Sequence, residues 1–481
     1  MMNADAVMPA SIAWLIIGGF SLLWVWLGWW LGRKNDSLED YMLAGRKVGM
    51  GFAVATAMAT WVTSNTTMTA PQLAYQLGIW GMAGYSLGAV GLLLFAPLAR
   101  RIREMMPQGY TSGDFIRLRY GNMAWRVFLL ISLFYSLGWL ISLGMAGGLL
   151  INALSGIPYF YGMTVIVAIC TLYTVFGGLR AVIGTDFVQT LLILVGIVLL
   201  GILVIHEVGF EVIHSRLQEE RPELLNLLLP ASIMFLFNNL FFGVGEIFHS
   251  NVWWSRAFAF APGVGFRAYL LAGFFWLPIP IVAGFIALAA PALGINVPSP
   301  DMVAPLVAGK MFGLMGAILV FVVVFAALAS SLDSVLAATS DLIVKDIYKG
   351  HFRRAATDAE LRKAAVWIIL GLGLFTWALS LPRLATLGSL LHFTGAFVAS
   401  TIWPITIGLL YRKGSGLLAT LAMVLGTASG LYAYFAIGFY VAALVSAAVS
   451  MIVMLFAFTG RRAFDWALLR ENGDIKNGEI K

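Results

Sequence analysis

Two scarcities bound this chain before any motif is read. It holds one cysteine, Cys170, set within an apolar run. Structural disulfides and cysteine-cluster metal sites are therefore excluded, and a lone thiol names no redox compartment. Charge is scarce as well: Asp, Glu, Lys and Arg make up 11% of the 481 residues, against roughly 25% in a soluble globular chain. A soluble multidomain enzyme, a disordered chain and a nucleic-acid-binding domain all fit that figure poorly. The sequence also lacks a nucleotide-binding loop, a metal-ligand cluster and a nucleophile beside its base, so neither ATP-driven nor enzymatic chemistry is expected.

What is present is apolar. Hydrophobic residues are 60% of the chain and the mean hydropathy is +0.90. No soluble fold of this size could hide so much apolar surface. The apolar residues come in long runs and not in a period of two, which excludes a porin-like barrel. The fold class is an all-α polytopic membrane protein. Thirteen candidate spans are centred near residues 21, 62, 90, 138, 168, 196, 238, 278, 325, 372, 397, 426 and 449. The first run is too long for a cleaved signal peptide and is expected to stay in the membrane.

An odd number of spans puts the termini on opposite sides. With the N-terminus outside and the C-terminus cytoplasmic, Arg216, Arg221, Lys310 and Arg383 are the only basic residues of the 30 left on the outer side. The inner loops then collect the others, Arg256 among them, as the positive-inside bias requires. Topogenic charge of this kind accounts for the net charge of +7 without an anionic partner. The expected location is the cell (inner or plasma) membrane, with the lipid bilayer and a small solute as partners, no nucleic acid and no obligatory protein partner.

Several spans are interrupted by polar residues. The second contains ATWVTSNTTMTAP (59–71) and the seventh FLFNNLFFGVGEIFHS (235–250). Unwound backbone and polar side chains survive in hydrocarbon only where they line a cavity or meet a partner. Taking the first span as an addition, these two spans head consecutive blocks of five, and paired broken helices point to a transporter's central site. Trp61, Thr63, Ser64 and Asn65, with Asn238 and Asn239 opposite, are the expected solute-binding residues; uncharged donors and acceptors suit a neutral polar ligand. Glu246 and His249 are read as contacts on the exit side. Gly81, Gly84 and Gly88 form a small-residue packing face.

In the ninth span, FVVVFAALASSLDSVLAATSDLIVKDIY, residues Ala327, Ser330, Ser331, Ser334 and Asp341 share one helical face with Asp333 beside it. An acid inside a span marks an ion or proton path by default. Asp186, in GGLRAVIGTDFVQT, reads either as a helix cap or as part of that path.

These stretches resemble the sodium:solute symporter family. YTVFGGLRAVIGTDFVQ (173–189) matches its glycine-pair signature, and FAALASSLDSVLAATSDLIVKDIY (325–348) matches its ion-binding helix. LEDYMLAGRKVG and GYTSGDFIRLRYG match flanking loops. The resemblance implies a leucine-transporter-like five-plus-five inverted repeat. Its parts would be an extra N-terminal helix (10–32), repeats at 50–207 and 228–411, two C-terminal helices (415–458) and a cytoplasmic tail (459–481). It implies a main sodium (Na+) site made by Ala59, Val62 and Ala327 carbonyls with the Ser330 and Ser331 hydroxyls. It further implies a second ion or proton site at Asp186, Asp333 and Ser334, where Asp333 replaces the usual hydroxyl. TWVTSNTTMTAPQLAYQLGIWG and NVWWSRAFAFAP are similar to the urea-transporter branch. The expected function is sodium-coupled symport of urea or a urea-like solute by alternating access. Sodium- or proton-coupled uptake of an amino acid, carboxylate or vitamin is the alternative; a solute-gated channel or transporter-like sensor is the rival class.

Overall fold

The computed structural model describes residues 7–33, 37–459 and 463–471; the remainder of the expected tail, 460–462 and 472–481, lies outside them. Helices carry nearly all of it. The chain runs α1 (Ala10–Gly32), α2 (Met50–Trp61), α3 (Ala70–Leu77), α4 (Ala89–Met105), α5 (Asn122–Ser155) and α6 (Tyr159–Glu207), then α7 (Pro230–His249), α8 (Asn251–Ala259) and α9 (Val264–Trp276). It continues through α10 (Val303–Leu342), α11 (Asp358–Ser380), α12 (Leu387–Ala399), α13 (Gly416–Ala436) and α14 (Ala442–Leu455). Eleven helical segments among the described residues are long and apolar enough to cross a membrane.

The count of thirteen expected from the sequence is recovered from two irregular elements. Helix α6 has 49 residues, about 74 Å at 1.5 Å per residue, far more than the ~30 Å of hydrocarbon. It is two spans joined at Gly178, where φ is 56°. Only glycine takes that backbone at no cost, and a Cβ there would sit 2.5 Å from the Tyr41 carbonyl oxygen. The other is the polar second span. It is α2 and α3 in sequence, too short separately and joined through an irregular turn at residues 62–69.

Why the helix stops at Trp61 follows from its side chains. Val62 leaves helical space (φ −82°, ψ 79°). The Thr63 hydroxyl then accepts from the Asn65 and Thr66 amides at 2.8 and 3.2 Å, an N-cap for the second half. The Trp61 carbonyl, deprived of its helical donor, receives the Thr66 hydroxyl and the Trp276 indole at 2.9 and 2.8 Å. Helix α10 packs along α6 and α5, and α2 wedges between α6, α9 and α10, so the break sits in the protein interior and away from lipid. Gly84 and Gly88 face close neighbours: a Cβ would come 2.8 Å from the Phe235 ring at the first and 3.4 Å from Trp61 and Trp276 at the second.

Gly178→Val should lower the melting temperature of purified protein by roughly 5 °C or more, whereas Gly18→Ala, exposed with nothing within 4 Å, should leave it unchanged. Scanning fluorimetry of the two variants decides this.

Candidate ion and solute site

Helix α10 brings its serine pair to the end of α2. The Ser331 hydroxyl lies 3.0 Å from the Ala327 carbonyl in its own helix and 3.2 Å from the Thr60 carbonyl across the interface. Ala59, Val62, Ala327, Ser330 and Ser331 are all fully buried, and α2 ends among them. Carbonyls in the last turn of a helix have no intrahelical donor, and here the Thr60 carbonyl, between the expected Ala59 and Val62, meets the Ser331 hydroxyl of the neighbouring helix. Hard oxygen donors in this arrangement suit a small monovalent cation.

The second set is assembled differently from the expectation. Asp186 lies midway along α6 and caps no helix end. Its Oδ1 accepts the Ser330 hydroxyl at 2.6 Å and its Oδ2 accepts the Thr56 hydroxyl at 2.5 Å. Beside it, 3.3 Å from Oδ2, is Nη2 of Arg256. Arg256 was expected in a cytoplasmic loop; it is instead fully buried on α8. Its guanidinium also reaches the Ser334 hydroxyl at 2.8 Å, Thr60 at 2.7 Å, Thr56 at 3.0 Å and the Val252 carbonyl at 3.1 Å. A buried arginine requires this full set of acceptors, because an unpaired buried charge is prohibitively costly. Asp333 is equally buried, but neither of its oxygens has a donor in hydrogen-bonding geometry. Arg256 stands between Asp186 and Ser334, and Asp333 lies close enough to interact electrostatically with both Asp186 and Arg256 without a hydrogen bond to either.

On the other face of the break lies a tight cavity, about 10 Å³, lined by Trp61, Thr63, Asn65, Tyr85, Gly88, Tyr135, Trp139, Asn239, Phe242, Trp276 and Leu391. Trp61, Thr63, Asn65 and Asn239 are where the sequence put them. The aromatic walls were missed: Trp61 lies 5.6 Å from Trp276, tilted by 32°, and 5.6 Å from Trp253, edge-on. The indole nitrogen of Trp61 and the amide nitrogen of Asn65 are buried without hydrogen-bond partners. The Asn65 oxygen accepts from Ser142 at 2.8 Å, which orients that amide. Asn239 is fixed by donating to the Gly84 carbonyl at 2.8 Å, and its oxygen lies 3.2 Å from His392 Nε2.

Two expected residues do not join the cavity. Asn238 points the opposite way, its oxygen accepting the Ala443 and Leu444 amides at 2.8 and 3.1 Å. Neighbours on a helix are about 100° apart, so Asn238 and Asn239 cannot share a target. Ser64 is buried with its hydroxyl unpartnered and lies outside the lining. Below the cavity, Glu246 accepts the Trp253 indole at 3.0 Å and His249 meets the Ser132 hydroxyl at 2.9 Å; both are fully buried. On the opposite side, Gln72 ties α3 to the start of α12 through Thr386 and the Gly388 amide, each at 3.1 Å.

Asn238→Ala strands two helix-terminal amides and should cost about 1–3 kcal/mol of stability with solute affinity unchanged. Asn65→Ala strands only the Ser142 hydroxyl; it should weaken half-saturation of uptake roughly tenfold and lower the melting temperature less than Asn238→Ala does. Parallel uptake and thermal assays distinguish the two roles.

Comparison with known proteins agrees with this geometry. The family model described as "Sodium:solute symporter family" matches residues 41–426. The probable urea active transporter 1 of Schizosaccharomyces pombe is 27% identical over 458 residues, covering 86% of this chain and 68% of its own. The urea-proton symporter DUR3 of Oryza sativa subsp. japonica is 25% identical over 470 residues, covering 88% of this chain and 65% of its own. A Na+-coupled sialic acid symporter in a substrate-bound outward-open state shares the fold with a TM-score of 0.78 at 18% identity, over 94% of this chain and 98% of that one. The helical architecture, the broken helix facing a polar helix and these matches together establish that this chain is a solute symporter of the sodium:solute symporter family, with a leucine-transporter-like fold.

Proposed function

We propose that the protein carries a small, neutral, planar amide, urea or a close analogue, into the cell together with sodium by alternating access. The observation that carries the solute reading is the cavity beside the break. It offers two unpartnered donors, Trp61 Nε1 and Asn65 Nδ2, between aromatic walls. A ligand carbonyl satisfies such donors, and its flat face stacks on indole rings. No side chain lining the cavity carries a formal charge, which disfavours carboxylates and amino acids.

Sodium is assigned to the carbonyls of Ala59, Val62 and Ala327 and the hydroxyls of Ser330 and Ser331. Bound there it ties α2 to α10 and steadies the break, so the solute meets a prearranged Thr63, Asn65 and Trp61. Each ligand then raises the affinity of the other by the same factor. The N-terminus is placed outside, since the basic residues fall mostly in the opposite loops. The Gln72 clasp to Thr386 and Gly388 serves as an outer gate.

A second reading, coupling to protons, rests on Asp333, a fully buried carboxyl whose oxygens make no hydrogen bond of good geometry; the rice relative is named a urea-proton symporter. Proteoliposomes separate the two. On the sodium reading, an inward sodium gradient drives labelled urea accumulation at equal pH, and Ser330→Ala and Ser331→Ala each raise half-activating sodium by about tenfold or more. Uptake driven by a pH gradient without sodium, and lost in Asp333→Asn, would replace sodium with the proton. Failure of urea to accumulate under either gradient would remove the solute assignment.

A further inference from the structure

The cluster around Asp186 contains its own cation. Asp186 Oδ2 and the Ser334 hydroxyl, two of the three groups expected to hold a second ion, both lie within hydrogen-bond distance of Arg256 Nη2, at 3.3 and 2.8 Å. The same nitrogen reaches Thr60 at 2.7 Å, while Nε reaches Thr56 and Nη1 the Val252 carbonyl. All these groups are fully buried. A sodium ion bound to Asp186 and Ser334 would be a near neighbour of a guanidinium that has no water to screen it and that cannot lose its proton. The arginine comes from α8, the acid from α6, Thr56 and Thr60 from α2, and Ser334 from α10, so the guanidinium joins four elements at one point.

The pair also acts on the main site. A serine hydroxyl has one proton and two acceptor lone pairs. With its proton committed to Asp186 Oδ1 at 2.6 Å, Ser330 turns its lone pairs away from the carboxylate and leaves them free for a cation. Asp186 can accept that proton steadily because Arg256 lies against its other oxygen.

We propose that Arg256 is the resident cation of the Asp186 pocket, so that the protein binds a single sodium per solute, with Asp186 aiming Ser330 at it. Arg256 and Asp186 are positioning residues. The inference rests on the sodium reading above.

The test is equilibrium binding of sodium-22 to the purified full-length protein, with urea uptake per sodium in proteoliposomes as its companion. Wild type should bind about one sodium with a Hill coefficient near 1. Arg256→Gln leaves Asp186 without its cation and should admit a second sodium, raising the Hill coefficient toward about 2. Arg256→Lys, which keeps the charge, should remain at one. Asp186→Asn with Arg256→Gln should return to one sodium, bound about tenfold more weakly because Ser330 is no longer aimed. Two sodium ions in wild type would overturn the inference and leave sodium coupling standing. No sodium bound to wild type would overturn both. Because the wild-type count is decisive alone, the inference stays testable even where Arg256→Gln fails to fold; where it folds and still binds one sodium with unchanged affinity, the resident-cation role is refuted.

Discussion

Backbone amides and carbonyls in hydrocarbon have no water to turn to, so a chain can leave helical geometry inside a membrane only where the protein itself supplies partners. The rest of this molecule depends on that constraint at residues 62–69. Thr63 caps the resumed helix, and Thr66 with Trp276 takes the abandoned Trp61 carbonyl. The protein surrounding the break, α5, α10, α12 and the helix Pro278–Leu288, is what allows it to persist. In return the break exposes carbonyls to the serine face of α10 on one side and polar side chains to the aromatic cavity on the other. Both halves of the candidate site are products of one interruption.

Charge is distributed by the same logic. Most ionisable residues stay near water, and of those at depth Asp186 and Arg256 are placed where neighbours hold them, whereas Asp333 is not. Asp186 and Arg256 neutralise each other and are hydrogen-bonded by hydroxyls from two further helices. Such an assembly adds little net stability, because desolvation offsets most of the attraction. It does specify geometry: a charge pair tied by hydrogen bonds to two further helices tolerates few alternative packings of α2, α6, α8 and α10.

Much of this was legible in the sequence because membrane spans are chemically monotonous, so any polar run stands out. The broken second span, the serine pair and Asp186 were found by that contrast, and Trp61, Thr63, Asn65 and Asn239 fall at the cavity as expected. Arg256 was missed because basic residues near span ends were read as topology signals. Its context, an isolated arginine in NVWWSRAFAF flanked by aromatic residues, differs from the clustered RRIR of a loop. Asn238 was misplaced although adjacency on a helix excludes a common target with Asn239. The walls given by Tyr85, Tyr135, Trp139 and Trp276 could not be read, because aromatic residues are common throughout membrane helices and only the packing of distant elements selects those four. The halves of α6 were counted correctly since the glycine pair and the length limit of a span agree.

A guanidinium that is part of the protein also limits how much work a transport cycle can extract. It never crosses to the other bulk phase, so unlike a bound ion it dissipates no gradient. With a single mobile sodium, a tenfold sodium gradient supplies about 1.4 kcal/mol and a membrane potential of ~100 mV about 2.3 kcal/mol. Together they cap accumulation of a neutral solute at roughly 500-fold. A second mobile sodium would lift that ceiling above roughly 100,000-fold. On the single-sodium reading, a fixed arginine in the Asp186 pocket suits a transporter working at modest concentration ratios, one sodium ion entering with each solute molecule.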